Sequence, residues 1–315
     1  MKIVLLDAAT LGEDLDLSPL SKYGEVVAYP STDLSLVEER LSDADVVIVN
    51  KVKLNSATIG KNCPVKLICI AATGFDNVDL DYMKSKGIGV CNVVGYSTDS
   101  VAQLTVSMVL SLATHLPEYN SFVERGEYSK GNVANKLTPV YHEIAGKTWG
   151  IVGLGNIGKK VAAVAGAFGC KVIANKRTPD PDYECVDIDT LCREADIITI
   201  HTPLNDGTRN LINEERIAMM KSDAIVVNVA RGAVCDEAAL CTAVKDGKIG
   251  GIGVDVYSAE PFREDSPYFA VKELSNVCLT PHMAWGSYEA RNRCLADMMA
   301  SIDAFICGEK RSRLV

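Results

Sequence analysis

At 315 residues, 48% of them hydrophobic, the chain exceeds the usual size of one compact core and carries apolar material enough for two domains. Its 41 acidic and 32 basic side chains leave a net charge of −9, which argues against nucleic acid or an anionic membrane as a partner. The 11 cysteines include no C-x-x-C pair and no Cys/His spacing of a zinc site, so no metal is expected and reduced thiols in the cytoplasm are the simplest setting.

The opening residues 1–9 hold an apolar core too short for a signal peptide and end like a strand. No uninterrupted apolar run approaches the roughly 20 residues that cross a bilayer, so a soluble protein is expected. Runs at 3–6, 26–29, 46–49, 67–72 and 90–93 read as strands of a small parallel sheet. Asn50 and Lys51 follow the third run, and Thr73, Gly74 and Phe75 the fourth. Those are strand C-termini, where open α/β sheets bind ligands, although a lysine so placed is more often merely solvated. Gly74 is the stronger signal, because a glycine there exposes backbone N–H groups to a carboxylate. Residues 97–116 read as a long crossover helix that Pro117 stops. Residues 118–141 are polar and irregular, either a surface loop or an arm that covers a partner subunit.

The next stretch organises the second half. Residues 149–153 form a strand, Gly153, Gly155 and Gly158 make G-x-G-x-x-G as it ends, 156–168 turn helical and 171–174 form another strand. In that context the glycines make a tight turn, leave room for a pyrophosphate and allow close helix packing, with the helix N-terminus facing the phosphates. Further apolar runs at 197–200, 224–229, 252–256 and 277–279, with a helix at 236–246 among them, complete an expected six-stranded sheet. His201, Arg231, Asp255 and His282 stand at or just past the ends of those runs. Residues 285–306 read as a last long helix, and the short basic tail is expected to pack on the N-terminal domain.

Three of these residues suit carbonyl reduction. Arg231 can grip a planar carboxylate bidentately, the alternative being an ion pair with Asp236 or Glu237. His282 has the side chain whose pKa lies nearest working pH, and a hydride acceptor also needs a proton. Glu260 could sit beside that imidazole, fix its tautomer and favour its protonated form; alone it would read as a solvated loop residue.

The segments GLGNIG, NVARGAVCDEAAL, GVDVYSAEP and LTPHMAW, in this order and spacing, resemble the D-isomer-specific 2-hydroxyacid dehydrogenases. IAATGFDNVD and GYSTDSVAQ are similar to the glycerate dehydrogenase or hydroxypyruvate reductase branch of that family. The resemblance implies an α/β fold of two doubly wound parallel-sheet domains. A Rossmann cofactor domain at 99–285 would be inserted into a smaller flavodoxin-like substrate domain at 1–98 and 286–315, with catalysis between them and a homodimer as the assembly. By the same resemblance Arg231 anchors the substrate carboxylate, His282 is the acid/base and Glu260 its partner. Gly153, Gly155, Asn156, Ile157, Gly158, His201, Thr202, Pro203, Ala230 and Asp255 would line the cofactor. Thr73 and Gly74 would bind the carboxylate of a small 2-keto acid, with hydroxypyruvate or glyoxylate favoured; Asn50 and Lys51 are strand-end candidates for the same substrate, and Trp285 either walls the pocket or simply packs at the domain hinge. Cys235 is expected to be a small core hydrophobe.

One departure bears on the cofactor. NAD-preferring members of this fold carry an acid at the end of the second strand to bind the ribose 2′-OH, and here Lys176 and Arg177 stand there instead. NADP(H) is therefore expected to be accepted and preferred, unless Asp180 or Asp182 folds back to serve the ribose. Rival readings are a binding protein that senses NAD(P)(H) with the same fold, and a short phosphoglycerate dehydrogenase.

Overall fold

Two parallel sheets account for the apolar runs. The structure is a computed structural model that describes residues 1–60 and 62–315. Among these residues the chain divides into one unit of Met1–Ser97 with Gly286–Val315, and another of Thr98–Trp285. In the first unit lie β1 (Lys2–Leu5), β2 (Glu25–Ala28), β3 (Val46–Val49), β4 (Leu67–Ile70) and β5 (Gly89–Cys91), with the short helices α1 (Val37–Arg40) and α2 (Leu80–Ser85). The strand order is β2-β1-β3-β4-β5, every pair parallel. This is the flavodoxin-like order, and β3 and β4 are buried at every position, as strands covered on both faces must be.

The second unit begins with α3 (Thr98–Thr114), α4 (Leu116–Glu124) and α5 (Glu127–Lys130). It continues through β6 (Thr148–Val152), α6 (Asn156–Ala167), β7 (Lys171–Asn175), β8 (Glu184–Cys185), α7 (Ile188–Glu194) and β9 (Ile197–Ile200). After these come α8 (Glu214–Ala218), β10 (Ile225–Asn228), α9 (Glu237–Lys245), β11 (Gly251–Val254) and β12 (Val277–Leu279). The strand order is β12-β11-β10-β9-β6-β7-β8, all parallel, so the winding reverses between β6 and β9. Open α/β sheets bind ligands at such a reversal, beyond the strand C-termini. Alternate residues of one strand feed opposite cores: Trp149 and Ile151 join the cluster of α3 and α6, while Val152 joins that of α7 and α9. The buried indole of Trp149 donates to Thr199 Oγ1 at 3.0 Å, so a large ring is accommodated without an orphaned N–H.

The chain returns to the first unit as α10 (Tyr288–Ile306), capped by Ser287 Oγ on Ala290 N. Ala290, Cys294, Leu295, Met298 and Ile302 form its buried stripe, and the helix packs on β4. The tail then runs antiparallel beside β5, with Leu314 N donating to Val90 O at 2.8 Å. It covers what would otherwise be an open sheet edge.

Four expectations change. The second sheet has seven strands among the described residues, not six, because the two-residue β8 pairs with β7 through Ile173 and Glu184; a strand so short leaves no apolar period to read. Pro117 does not stop the crossover helix. The chain turns at His115, with φ of 50°, and Pro117 sits in the first turn of α4, where its missing N–H costs nothing. Residues 118–141 are partly helical, through α4 and α5, rather than irregular throughout. The last helix begins after Ser287 and not at Trp285, since the cap sets its start.

Candidate active site

The cofactor end is built by the turn after β6. Gly153 has φ of +94°, and a Cβ there would lie 2.7 Å from Thr202 N and 2.8 Å from His201 C, so the glycine turn and the segment after β9 touch backbone to backbone. A Cβ on Gly158 would meet Gly153 O at 2.3 Å, whereas one on Gly155 would meet nothing within 4 Å. Open space therefore lies where a pyrophosphate must approach, and no side chain caps the α6 N-terminus at Asn156 and Ile157. Both ring nitrogens of His201 are buried with no hydrogen-bond partner among the described residues, and burial pushes its pKa down to about 3. A neutral imidazole with an unmet donor and acceptor fits a polar ligand group. Pro203 O accepts from Thr208 Oγ1 at 2.6 Å, which braces the same segment.

Past β7 the expected pair of free cations is not what forms. Lys176 Nζ lies 3.3 Å from Asp180 Oδ2, and the same oxygen lies 2.7 Å from Lys159 Nζ on α6. The Asp180 side chain is only 7% exposed, and Lys159 holds its carboxyl below the usual range. The carboxylate does fold back, but onto the two lysines. Arg177 is exposed beside them, and Asp182 donates its N–H to Asp180 Oδ1 at 3.3 Å.

Arg231 follows β10 on a turn pinned by Asn228. The buried Asn228 side chain accepts from Ala230 N at 3.0 Å and donates to Arg231 O at 2.9 Å, while Arg231 Nη1 donates to Ala230 O at 2.8 Å. Asp236 instead caps α9 through Ala239 N, and Glu237 accepts from Ser258 N. Gly232 brings this turn against the loop after β11: a Cβ there would lie 2.2 Å from both Ser258 N and Tyr257 C. On that loop Glu260 Oε1 accepts from Tyr257 N at 3.0 Å, and Oε2 lies 2.7 Å from His282 Nδ1. A carboxylate is an acceptor only, so Nδ1 carries the proton in this contact. His282 has φ of 52°, in a turn wound around Asp255, which takes Thr280 Oγ1 at 2.6 Å, Met283 N at 2.8 Å and Ala284 N at 3.0 Å. Burial raises the Asp255 carboxyl against the pull of those donors. Trp285 follows, packed on the α3–α6 core. Cys235 is buried in the other core, where burial raises its thiol far out of the reactive range.

In the first unit, the buried Asp7 carboxylate accepts from Asn50 N at 2.9 Å, Lys51 N at 2.6 Å and Val52 N at 3.0 Å. Asn77 Nδ2 donates to Val52 O at 3.1 Å, which ties this loop to the one carrying Thr73 and Gly74. Thr73 is fixed in turn by its hydroxyl on Val93 O and by Asn92 Nδ2 on its carbonyl. Asn228, Asp7, Lys159 and Glu237 escape a reading by motif. Asn228 and Asp7 leave one trace each, a lone polar residue at or just past the end of an apolar strand.

A doubly wound parallel sheet with a glycine-cradled helix N-terminus and an imidazole–carboxylate pair at its strand ends defines a dinucleotide-linked enzyme class. Residues 106–284 match the family model of the D-isomer specific 2-hydroxyacid dehydrogenase, NAD binding domain. The chain is 36% identical to the glycerate dehydrogenase of Methylorubrum extorquens over 99% of its length and 98% of that protein's. It is 35% identical to the hydroxypyruvate reductase of Blautia hydrogenotrophica, covering 98% of each. Among solved structures, an acyclic imino acid reductase in complex with NADPH and D-Arg superposes with a TM-score of 0.88 at 28% identity, covering 100% of both chains. The chain belongs to the D-isomer-specific 2-hydroxyacid dehydrogenase family.

Proposed function

We propose that the protein is a nicotinamide-dependent reductase of small 2-keto acids, acting on the D-2-hydroxy acid in reverse, with hydroxypyruvate and glyoxylate favoured. The observation that carries this is the 2.7 Å contact of His282 Nδ1 with Glu260, on a loop packed backbone to backbone against the Arg231 turn. A nicotinamide cofactor held by the glycine turn would supply or take the hydride. Arg231 binds the substrate carboxylate and polarises the keto oxygen, since a guanidinium can do both from one plane. His282 gives its Nε2 proton to that oxygen, and Glu260 keeps the ring oriented and stabilises its charged form. The first unit is the substrate domain, with Asn50, Lys51, Thr73 and Gly74 as contacts, and Trp285, the last residue of the second unit, limits side-chain size. The second is the cofactor domain, with the glycine turn on the pyrophosphate, His201, Thr202 and Pro203 on the adenosine side, and Ala230 and Asp255 at the nicotinamide.

NADP(H) is accepted and preferred on this reading. Lys159, Lys176 and Arg177 together outnumber Asp180, whose carboxylate is already shared by the two lysines. The homodimer forms through residues 116–141, where Val123, Val133, Leu137, Val140 and Tyr141 are all more than half exposed. The cytoplasmic setting rests on 11 cysteines, all free.

The test is steady-state reduction of hydroxypyruvate, glyoxylate, pyruvate and phenylpyruvate with NADH and with NADPH. Small keto acids should be turned over fastest. Faster reduction of phenylpyruvate rejects the substrate reading, and cofactor binding without turnover on any keto acid favours a sensing role.

A further inference from the structure

Glu237 opens α9, six residues after Arg231, and its carboxylate has no work to do for its own helix. Asp236 already caps α9 by accepting from Ala239 N at 3.0 Å. Glu237 Oε1 reaches instead to Ser258 N at 2.8 Å, on the loop between β11 and Glu260. One residue back on that loop, Tyr257 N is held by Glu260 itself, whose other oxygen holds His282. Two successive backbone N–H groups are thus gripped by two carboxylates, one from the Arg231 side and one from the acid–base pair. Gly232 lies against the same two residues so closely that no side chain fits between.

We propose that Glu237 is a positioning residue for the acid–base pair: it fastens the loop of Glu260 to the Arg231 turn, and its charge adds to the field that keeps the proton on His282. The inference rests on the function proposed above. Glu237 is half-buried, and burial pushes its carboxyl above the usual range, with Glu260 and Asp236 pushing the same way against the Ser258 N–H and hydroxyl. The other titratable groups facing it are Cys235 and Cys241, with Tyr268 from the segment packed on α9. Facing the pair itself are Asp255 and Tyr257, with Arg231 beyond Gly232. A purely structural clamp would hold the loop and leave proton affinity alone. A charged clamp does both, because a negative charge near an imidazole favours its protonated form.

Two substitutions separate these roles. Glu237→Gln keeps an oxygen for Ser258 N and removes the charge, whereas Glu237→Ala removes both. The alanine variant should lose about tenfold in kcat with hydroxypyruvate while the Kd for the cofactor stays within a factor of about three, and the glutamine variant should recover most of that loss. In both variants the alkaline limb of the reduction pH–rate profile should move to lower pH by several tenths of a unit. The His282 imidazole, followed by NMR as one of only four histidines, should titrate at lower pH in Glu237→Gln than in the unmodified protein. That titration needs no turnover, so it tests Glu237 even if no keto acid proves to be a substrate, an outcome that would instead reject the function. Superimposable titrations and profiles overturn the electrostatic role. An alanine variant with unchanged kcat overturns the clamp, and so does one whose loss of kcat is matched by loss of cofactor binding and of Tm.

Discussion

His282 sits in left-handed backbone, a conformation that costs an ordinary residue energy, and Asp255 holds it there with three hydrogen bonds. A buried carboxylate thus holds the backbone of the imidazole from behind, and an exposed one contacts the ring from beside it. Glu260→Gln preserves the acceptor and deletes the charge, so reduction should fall off at lower pH than in the unmodified enzyme, while the acid side of the profile stays put. An unchanged alkaline limb would remove Glu260 from proton transfer. His201 makes a separate prediction about stability. Its folded pKa of about 3 lies below the ordinary 6.5, so between those values the unfolded chain binds a proton that the folded one refuses. The stability this confers is whole above pH 6.5 and is lost as pH falls toward 3. His201→Leu should therefore flatten the acid loss, by up to roughly 3 kcal/mol near pH 4 in urea titrations. A variant as acid-sensitive as the parent would show that the ring is hydrated in solution.

At the scale of elements, the proposed cofactor preference rests on the β6–α6–β7 unit. Lys159 on α6 and Lys176 after β7 share Asp180, so the charge past the end of β7 is set by three residues that only the fold brings together. Replacing Lys176 with Asp and Arg177 with a neutral residue should move selectivity toward NADH by about tenfold to hundredfold, the value of one or two charge-assisted hydrogen bonds. A tenfold or greater preference of the unmodified enzyme for NADH would contradict the present assignment. The glycine turn, the strand ends and the pairing of His282 with Glu260 are legible because each follows a short apolar strand. Apolar runs and glycines mark such strands without any long-range information. Asp180 and Glu237 were not legible in their roles, since both act across contacts made by other elements and look locally like solvated acids. The seventh strand was hidden for a simpler reason: Glu184 and Cys185 gain strand geometry only by pairing with β7. Pro117 misled because the same residue that breaks a helix interior is welcome in a first turn.

For the whole molecule, three clusters of buried side chains among the described residues hold most of the apolar residues, one in the first unit and two in the second, while seven of the exposed large apolar side chains fall between residues 116 and 141. Between residues 116 and 141 the exposed Val133 and Leu137 are the most uncovered large apolar side chains of that stretch, at 68% and 72%. Light scattering should give twice the 33.9 kDa chain mass, and Leu137→Asp with Val133→Asp should bring it to one. A monomeric parent would assign the arm another purpose. The proposed function makes His282 the proton donor to a 2-keto acid. Its most direct test compares the unmodified enzyme with His282→Ala, measuring kcat for hydroxypyruvate beside the Kd for NADPH in each. Loss of at least about a hundredfold in kcat with Kd changed by no more than a few-fold is the expected result. Near-normal turnover by the alanine variant would contradict it.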